Sequence, residues 1–277
     1  MPEPGACLVD GIETRLVPVS DRGFLYGDGL FETIAWIDGL APLLDRHLQR
    51  LAHGCERLAL DLPERTLLES EIHRVAADSS RAVIKLIVSR SGGERGYRID
   101  ANAGSRRVVL SSPWPERPAH WYREGVAVRV CSTRLSSQPL LAGLKTLARL
   151  DQVLARAEWG GDEFYDGIML QAEGTVVCGT MSNVFLVRNS VLLTPDVSRC
   201  GVAGVMRATV MDIARAEGLR VECRDVQLEE LNDCDELLLT NAVSGILPVN
   251  RIDTRVMAVG PLTRRLQGLA DARFRLR

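Results

Sequence analysis

Residues 111–118 read SSPWPERP, with three prolines in eight positions. Proline lacks the backbone N–H that a helix or sheet interior uses, and it pushes the preceding residue away from the helical region. Regular structure is disfavoured across such a stretch, which makes it the best candidate for a linker between two halves of the chain. Its 277 residues suffice for one large domain or two of ordinary size, and 46% apolar residues can supply a core on each side. The expected division is a first domain over 1–112, a linker over 113–118 and a second domain over 119–277 that carries Lys145.

Hydrophobic period assigns the elements. The segment ACLVDGIETRLVPVSDRG alternates around Asp10-Gly11 and predicts a hairpin, and LFETIAWIDGLAPLL predicts another turning at Asp38-Gly39. The period then becomes helical: Leu48, Leu51, Ala52, Cys55 and Leu58 share one side of a helix, and ERTLLESEIHRVAAD forms the next. RAVIKLIVSR is a strand that ends in a glycine-rich loop, with SRRVVLSSP as its partner. Beyond the linker come the strand GVAVRVCST, a loop and amphipathic helix around Lys145, the hairpin DGIMLQAEGTVVCGTMSNVFLVRN, the helix VMRATVMDIARAEG, the strand DELLLTNAV and a closing helix. Strands and helices do not alternate regularly, so the class is α+β rather than a doubly wound sheet or a TIM barrel.

Composition excludes several functions. A net charge of −2 leaves no footprint for nucleic acid, although local arginines could hold a small anion. No apolar run reaches the roughly 18 residues of a membrane helix. The opening MPEPGACLVDG lacks a basic-then-apolar signal pattern, so a cytoplasmic protein is expected. Seven scattered cysteines and four unclustered histidines predict neither a disulfide framework nor a metal site.

Of 34 basic residues only Lys85 and Lys145 are lysine. A partly desolvated lysine becomes a nucleophilic amine, a property arginine lacks. Alternation places Lys85 opposite Ile84 and Leu86, on what reads as a solvated strand face. Lys145 follows the small, apolar PLLAGL and precedes a helix with Leu147, Leu150, Leu154 and Ala157 on one side. Spacing alone leaves it open whether Lys145 is buried or an exposed residue at a helix start.

The segment LAGLKTLARLDQVLARAE resembles the lysine segment of the aminodeoxychorismate lyase family, within the fold-type IV class of pyridoxal-phosphate enzymes that also holds the branched-chain and D-amino-acid aminotransferases. The resemblance spans nearly the whole chain. SDRGFLYGDGLFET is similar to the class's N-terminal signature, HLQRL to its phosphate-arginine segment, MSNVFLV to the strand after its ring-nitrogen residue, and GVAGVMR to its phosphate-binding helix start. What it implies is a two-domain architecture with the active site between the domains, pyridoxal 5'-phosphate joined to Lys145 as a Schiff base, and a homodimer. The implied reaction is a lyase one, in folate biosynthesis, taking 4-amino-4-deoxychorismate to 4-aminobenzoate and pyruvate. An aminotransferase acting on D-amino or branched-chain acids stays open, as does a cofactor-binding relative without catalysis.

The resemblance assigns residues as well. Arg50 becomes the phosphate clamp, its guanidinium fork suiting a dianion. Val205 and Met206 offer free N–H groups at a helix N-terminus. Asn241 and Ala242 align with a further phosphate-contacting loop. The slot beside the ring nitrogen, five residues before Asn183, usually holds glutamate and here holds Cys178; the nearest acid, Glu173, sits in the turn QAEGT. A thiol there would give a weaker electron sink, which an elimination driven by aromatisation tolerates better than transamination does. Arg95 and Tyr97, in the R-G-Y form of the glycine-rich loop, are expected to bind substrate together with Phe31 and Arg149, and Tyr26 is a further candidate to line the pocket. The acid that protonates the leaving group is left among Lys145, Thr33 and Tyr97.

Overall fold

The structure, a computed structural model, describes residues 5–92, 96–100 and 103–275. Contacts divide the chain into two compact units: Met1–Pro115 with Leu144–Ala148, and Glu116–Gly143 with Arg149–Arg277. The division falls between Pro115 and Glu116, inside the proline-rich stretch.

The first unit contains β1 (Cys7–Val9), β2 (Ile12–Glu13), α1 (Arg22–Tyr26), β3 (Gly29–Ile37), α2 (Leu44–Leu58), α3 (Arg65–Ala76), β4 (Arg81–Arg90) and β5 (Ser105–Pro113). Its antiparallel sheet runs β2-β1-β5-β4-β3. The first hairpin turns on Asp10 and Gly11, both at positive φ (50° and 82°), as a tight Asp-Gly turn requires. The second expected hairpin is reduced to one bridge, Ile37 with Leu40, because the chain enters α2 four residues later. Alternation along β3 and β4 sends Leu30, Ile34, Trp36, Ile84, Leu86 and Val88 to one face, where they pack with Leu48, Leu51 and Cys55 of α2 and Leu68, Ile72 and Val75 of α3. Ile34, Ile72 and Ile84 are completely buried, and each such burial stabilises by about 1.5–3 kcal/mol. Phe31, Thr33, Lys85 and Ile87, of the opposite parity, are exposed or half-buried.

The placement of Lys145 in the second half needs correction. Leu144–Ala148 belongs to the first unit, because it pairs with the outer edge of β3: Phe31 N donates to Lys145 O (2.9 Å), Leu147 N donates to Gly29 O (2.9 Å), and Leu30 faces Thr146 in an antiparallel bridge. Leu147 is therefore extended, and the helix expected around it begins only at Leu150.

The second unit contains α4 (Ala119–Glu124), β6 (Val126–Leu135), α5 (Leu150–Arg156), β7 (Asp166–Gln171), β8 (Thr175–Gly179), β9 (Asn183–Arg188), β10 (Val191–Pro195), α6 (Val205–Ala216), β11 (Val221–Arg224), β12 (Val226–Gln227), α7 (Glu230–Asp233), β13 (Glu236–Asn241), β14 (Gly245–Ile252), β15 (Arg255–Val256) and α8 (Pro261–Phe274). Its sheet runs β11-β10-β9-β13-β14-β6-β7-β8-β12, with β15 on β14. The β6–β7, β6–β14 and β10–β11 pairs are parallel. Near-continuous apolar runs such as VFLV and ELLL are strands buried on both faces. Along β7, Ile168 and Leu170 enter one apolar cluster and the intervening Met169 another. No helix among the described residues is long and apolar enough to cross a membrane.

Candidate active site

In the first unit the site is built on β3. Asp21 caps α1 by accepting from the Gly23 and Phe24 amides (2.9 and 3.3 Å), and Asp28 takes the Nε groups of Arg22 and Arg90 (2.9 and 3.0 Å), which fixes the entry to the strand. The added edge strand then sets the lysine. Lys145 lies opposite Phe31, so both side chains leave the sheet on the same face, and the Lys145 Nζ stands 4.2 Å from the Phe31 ring centroid. Leu144 and Thr146, of opposite parity, are buried.

Directly behind Phe31, Glu32 points into the helix-covered face and is 1% exposed. Its carboxylate accepts from Arg50 Nε (2.8 Å) and Nη2, and from His47 Nδ1 (2.6 Å). Burial works to raise the Glu32 pKa, but the Arg50 guanidinium overrides it and holds the carboxyl at about 2. Burial depresses the His47 pKa, with the charges of Arg50 and Lys145 adding to the effect against Glu32. His47 is thus neutral, and an ionised partner that can only accept requires Nδ1 to carry the proton. Its Nε2 is a buried acceptor without a hydrogen-bond partner. The Arg50 expected to clamp phosphate is therefore pre-oriented by a bidentate carboxylate.

In the second unit, α6 begins after Gly204 with no side-chain cap. The amides of Val205 and Met206 open a 12-residue helix, a natural anion site. A Cβ on Gly204 would overlap the Asn183 Oδ1, so only glycine lets the helix start approach β9. Asn183 donates through Nδ2 to Val202 O (2.9 Å) and pairs in register with Thr240, whose buried hydroxyl has no hydrogen-bond partner. Asn241 follows, its Oδ1 accepting from the Val243 and Ser244 amides (3.0 and 2.7 Å). Asn241 and Ala242 thereby form the β13–β14 turn, with the Asn241 side-chain oxygen committed to the turn itself.

Cys178 lies on β8 among Cys131, Trp159, Met169 and Cys200. Burial, aided by the charge of Asp166, pushes its thiol up to about 12, while Arg149 works weakly in the opposite sense. Cys178 is a neutral thiol at working pH. Asp166, wholly buried, accepts from the Gly167 amide (2.8 Å), the Thr180 amide (2.9 Å) and hydroxyl (2.5 Å), and the Ser182 hydroxyl (2.6 Å). Burial nonetheless raises its pKa.

Other expected residues fall elsewhere. Tyr97 is 83% exposed and meets the Tyr26 ring edge-on at 5.4 Å. Arg95 lies outside the described residues. The structure brings Lys145 to Phe31 and, in the other unit, sets Gly204, just ahead of Val205 and Met206, against Asn183, whose register partner Thr240 precedes Asn241. Sequence reasoning missed Glu32, His47 and Asp166. The signal for Glu32 was legible: an acid at a core-parity position of an alternating strand demands a buried cation, and His47 and Arg50 stand three apart on the next helix.

The residues suit a phosphorylated aldehyde cofactor at two points, a lysine beside an aromatic ring and an uncapped helix start near an orphaned buried hydroxyl. Cys178, expected in the slot beside the ring nitrogen, is a buried neutral thiol rather than a carboxylate.

The amino-transferase class IV family model matches residues 29–252. The chain is 38% identical over 268 residues to the aminodeoxychorismate lyase of Vibrio harveyi, covering 94% of this chain and 97% of that one. It is 33% identical to a putative branched-chain-amino-acid aminotransferase of Methanocaldococcus jannaschii, covering 91% and 88%. The crystal structure of 4-amino-4-deoxychorismate lyase from Pseudomonas aeruginosa superposes with a TM-score of 0.92 at 46% identity, covering 96% of this chain and 98% of that one.

Proposed function

The chain belongs to the amino-transferase class IV family, and from that premise we propose that it is a pyridoxal-phosphate-dependent lyase converting 4-amino-4-deoxychorismate to 4-aminobenzoate and pyruvate. The observation that carries the reading is the edge strand Leu144–Ala148, which delivers Lys145 to the Phe31 ring. The 38% and 46% identities to lyases support the choice of reaction within the family.

When bound, the cofactor supplies an electron sink for the ring carbon that carries the substrate amine. Lys145 serves as its tether and, through Nζ, takes the proton from that carbon. The enolpyruvyl C–O bond to the neighbouring carbon breaks, the ring becomes aromatic, and the enolpyruvate oxygen or carbon receives a proton. Thr33 sits two residues from Phe31 on the same face of β3 and is half-buried, which favours it over the exposed Tyr97 as a donor beside Lys145. Arg50, aligned by Glu32, and the amides of Val205 and Met206 each offer donors suited to a phosphate dianion. The neutral thiol of Cys178 at the expected ring-nitrogen position suits an elimination driven by aromatisation. We extend the reading to a cytoplasmic homodimer acting in 4-aminobenzoate synthesis.

A coupled assay tests it. Supplied with 4-amino-4-deoxychorismate, the holoenzyme forms pyruvate and 4-aminobenzoate in equal amounts. Lys145→Arg, whose guanidinium cannot deprotonate, keeps its circular dichroism but loses visible absorbance and both products. Full activity in that variant would overturn the assignment. Keto-acid formation that depends on an amino acid, without pyruvate from aminodeoxychorismate, would install the aminotransferase reading instead.

A further inference from the structure

Arg22, the first residue of α1, is 5% exposed. Its Nε donates to Asp28 Oδ2 (2.9 Å), and its Nη1 and Nη2 donate to the carbonyls of Gly96 and Tyr97 (3.0 and 3.4 Å), 74 and 75 residues further along the chain. Asp28 Oδ2 also accepts from Arg90 Nε (3.0 Å), whose other groups close the end of α2 at Leu58 O and Ala59 O (2.8 and 2.7 Å). Two guanidiniums thus share one carboxylate, and each turns further N–H groups to backbone carbonyls. The arginine fork is planar and rigid, so the backbone it meets is fixed relative to α1.

α1 is itself packed on the strand that carries Lys145. A Cβ on Gly27 would stand 3.2 Å from Ala148 N, and one on Gly23 would stand 3.1 Å from Leu147 Cδ1. One short helix therefore touches both the Lys145 strand and the Gly96–Tyr97 backbone. The Tyr97 ring is 83% exposed and rests edge-on against Tyr26 at 5.4 Å, and the Arg22 guanidinium lies 5.1 Å from the Tyr26 centroid. An exposed aromatic ring on a backbone fixed by a buried cation is pre-organised to meet a ligand rather than to fill a core. We propose that Arg22 is a positioning residue that presents Tyr97 to the ring of the substrate. The inference rests on the lyase reading, whose substrate and aromatic product both carry a six-membered ring.

The test compares holoenzymes carrying Arg22→Lys, which keeps a cation for Asp28 but lacks the fork, Tyr97→Ala, and both together. Trypsin cleavage after Arg98, mapped by mass spectrometry, reads the hold on the segment without turnover, and it is expected to quicken about tenfold in Arg22→Lys. In the coupled assay, Arg22→Lys is expected to raise KM about fivefold or more, with kcat and the visible absorbance of the cofactor near wild type. The double variant should be no worse than Tyr97→Ala alone, because Arg22 acts through Tyr97. Unchanged cleavage, an unchanged KM, a fall in kcat and absorbance without a rise in KM, or effects of the two substitutions that add: each overturns the proposal. Wild-type turnover judges the lyase reading separately. A wild type that makes no pyruvate removes that reading, and the cleavage rate still decides whether Arg22 holds the segment.

Discussion

Glu32 occupies a strand face that Leu30 and Ile34 fill with hydrocarbon, and it is tolerated there only because Arg50 and His47 meet it. Removing one partner of such a cluster leaves the others buried and uncompensated. The folded pKa, about 2, lies below the ordinary 4.5. The stabilisation is therefore complete above the unfolded value and is lost as pH falls from about 4.5 through about 2; it amounts to an effect on the order of 3 kcal/mol. Glu32→Gln should be less stable than wild type by that order at pH 7, and the difference should shrink as urea melts are repeated at pH 5, 4 and 3. A difference independent of pH would show that the carboxylate is not the source. The same residue scale separates what was legible from what was not. Arg50 and Lys145 stood out because their motifs did, whereas Lys85 looked like an ordinary solvated strand residue until the strand register put it beside Phe31.

At the scale of elements, two local constructions present the candidate groups: the edge strand added to β3 and the glycine start of α6. Neither is set by propensity. The helical pattern reads as starting just after Lys145 and including Leu147, but unpaired N–H and C=O groups on the edge of β3 recruit Leu144–Ala148 into the sheet. At α6 the constraint is steric. Gly204→Ala should push Asn183 away from Val202 and shift the amides of Val205 and Met206. The expected result is a cofactor affinity lowered about tenfold in an apo-protein titration, with a modest fall in thermal stability. Unchanged affinity would remove the helix start from the phosphate site.

For the whole molecule, the first unit is discontinuous in sequence: residues up to Pro115 lack their last strand until Leu144–Ala148 arrives. A fragment comprising 1–115 should therefore expose the outer edge of β3 and self-associate, measured by size-exclusion chromatography against the full chain. A fragment that stays monomeric would show that the edge strand does not protect it. The sequence by itself determined the α+β class, the break at the prolines, the helices α2, α3, α6 and α8 and most strands, because these depend on local periodicity and on proline chemistry. Through motifs that resemble those of the family, it also pointed to Lys145 and the start of α6 as candidates for holding the cofactor. Only the tertiary structure decided which unit owns Lys145, which residues align Arg50, and which second lysine shares its ring. Those outcomes depend on strand register and on which elements pair: Lys145 reaches Phe31 from far along the chain, and the acid at Glu32 announces a buried cation without saying which one answers it.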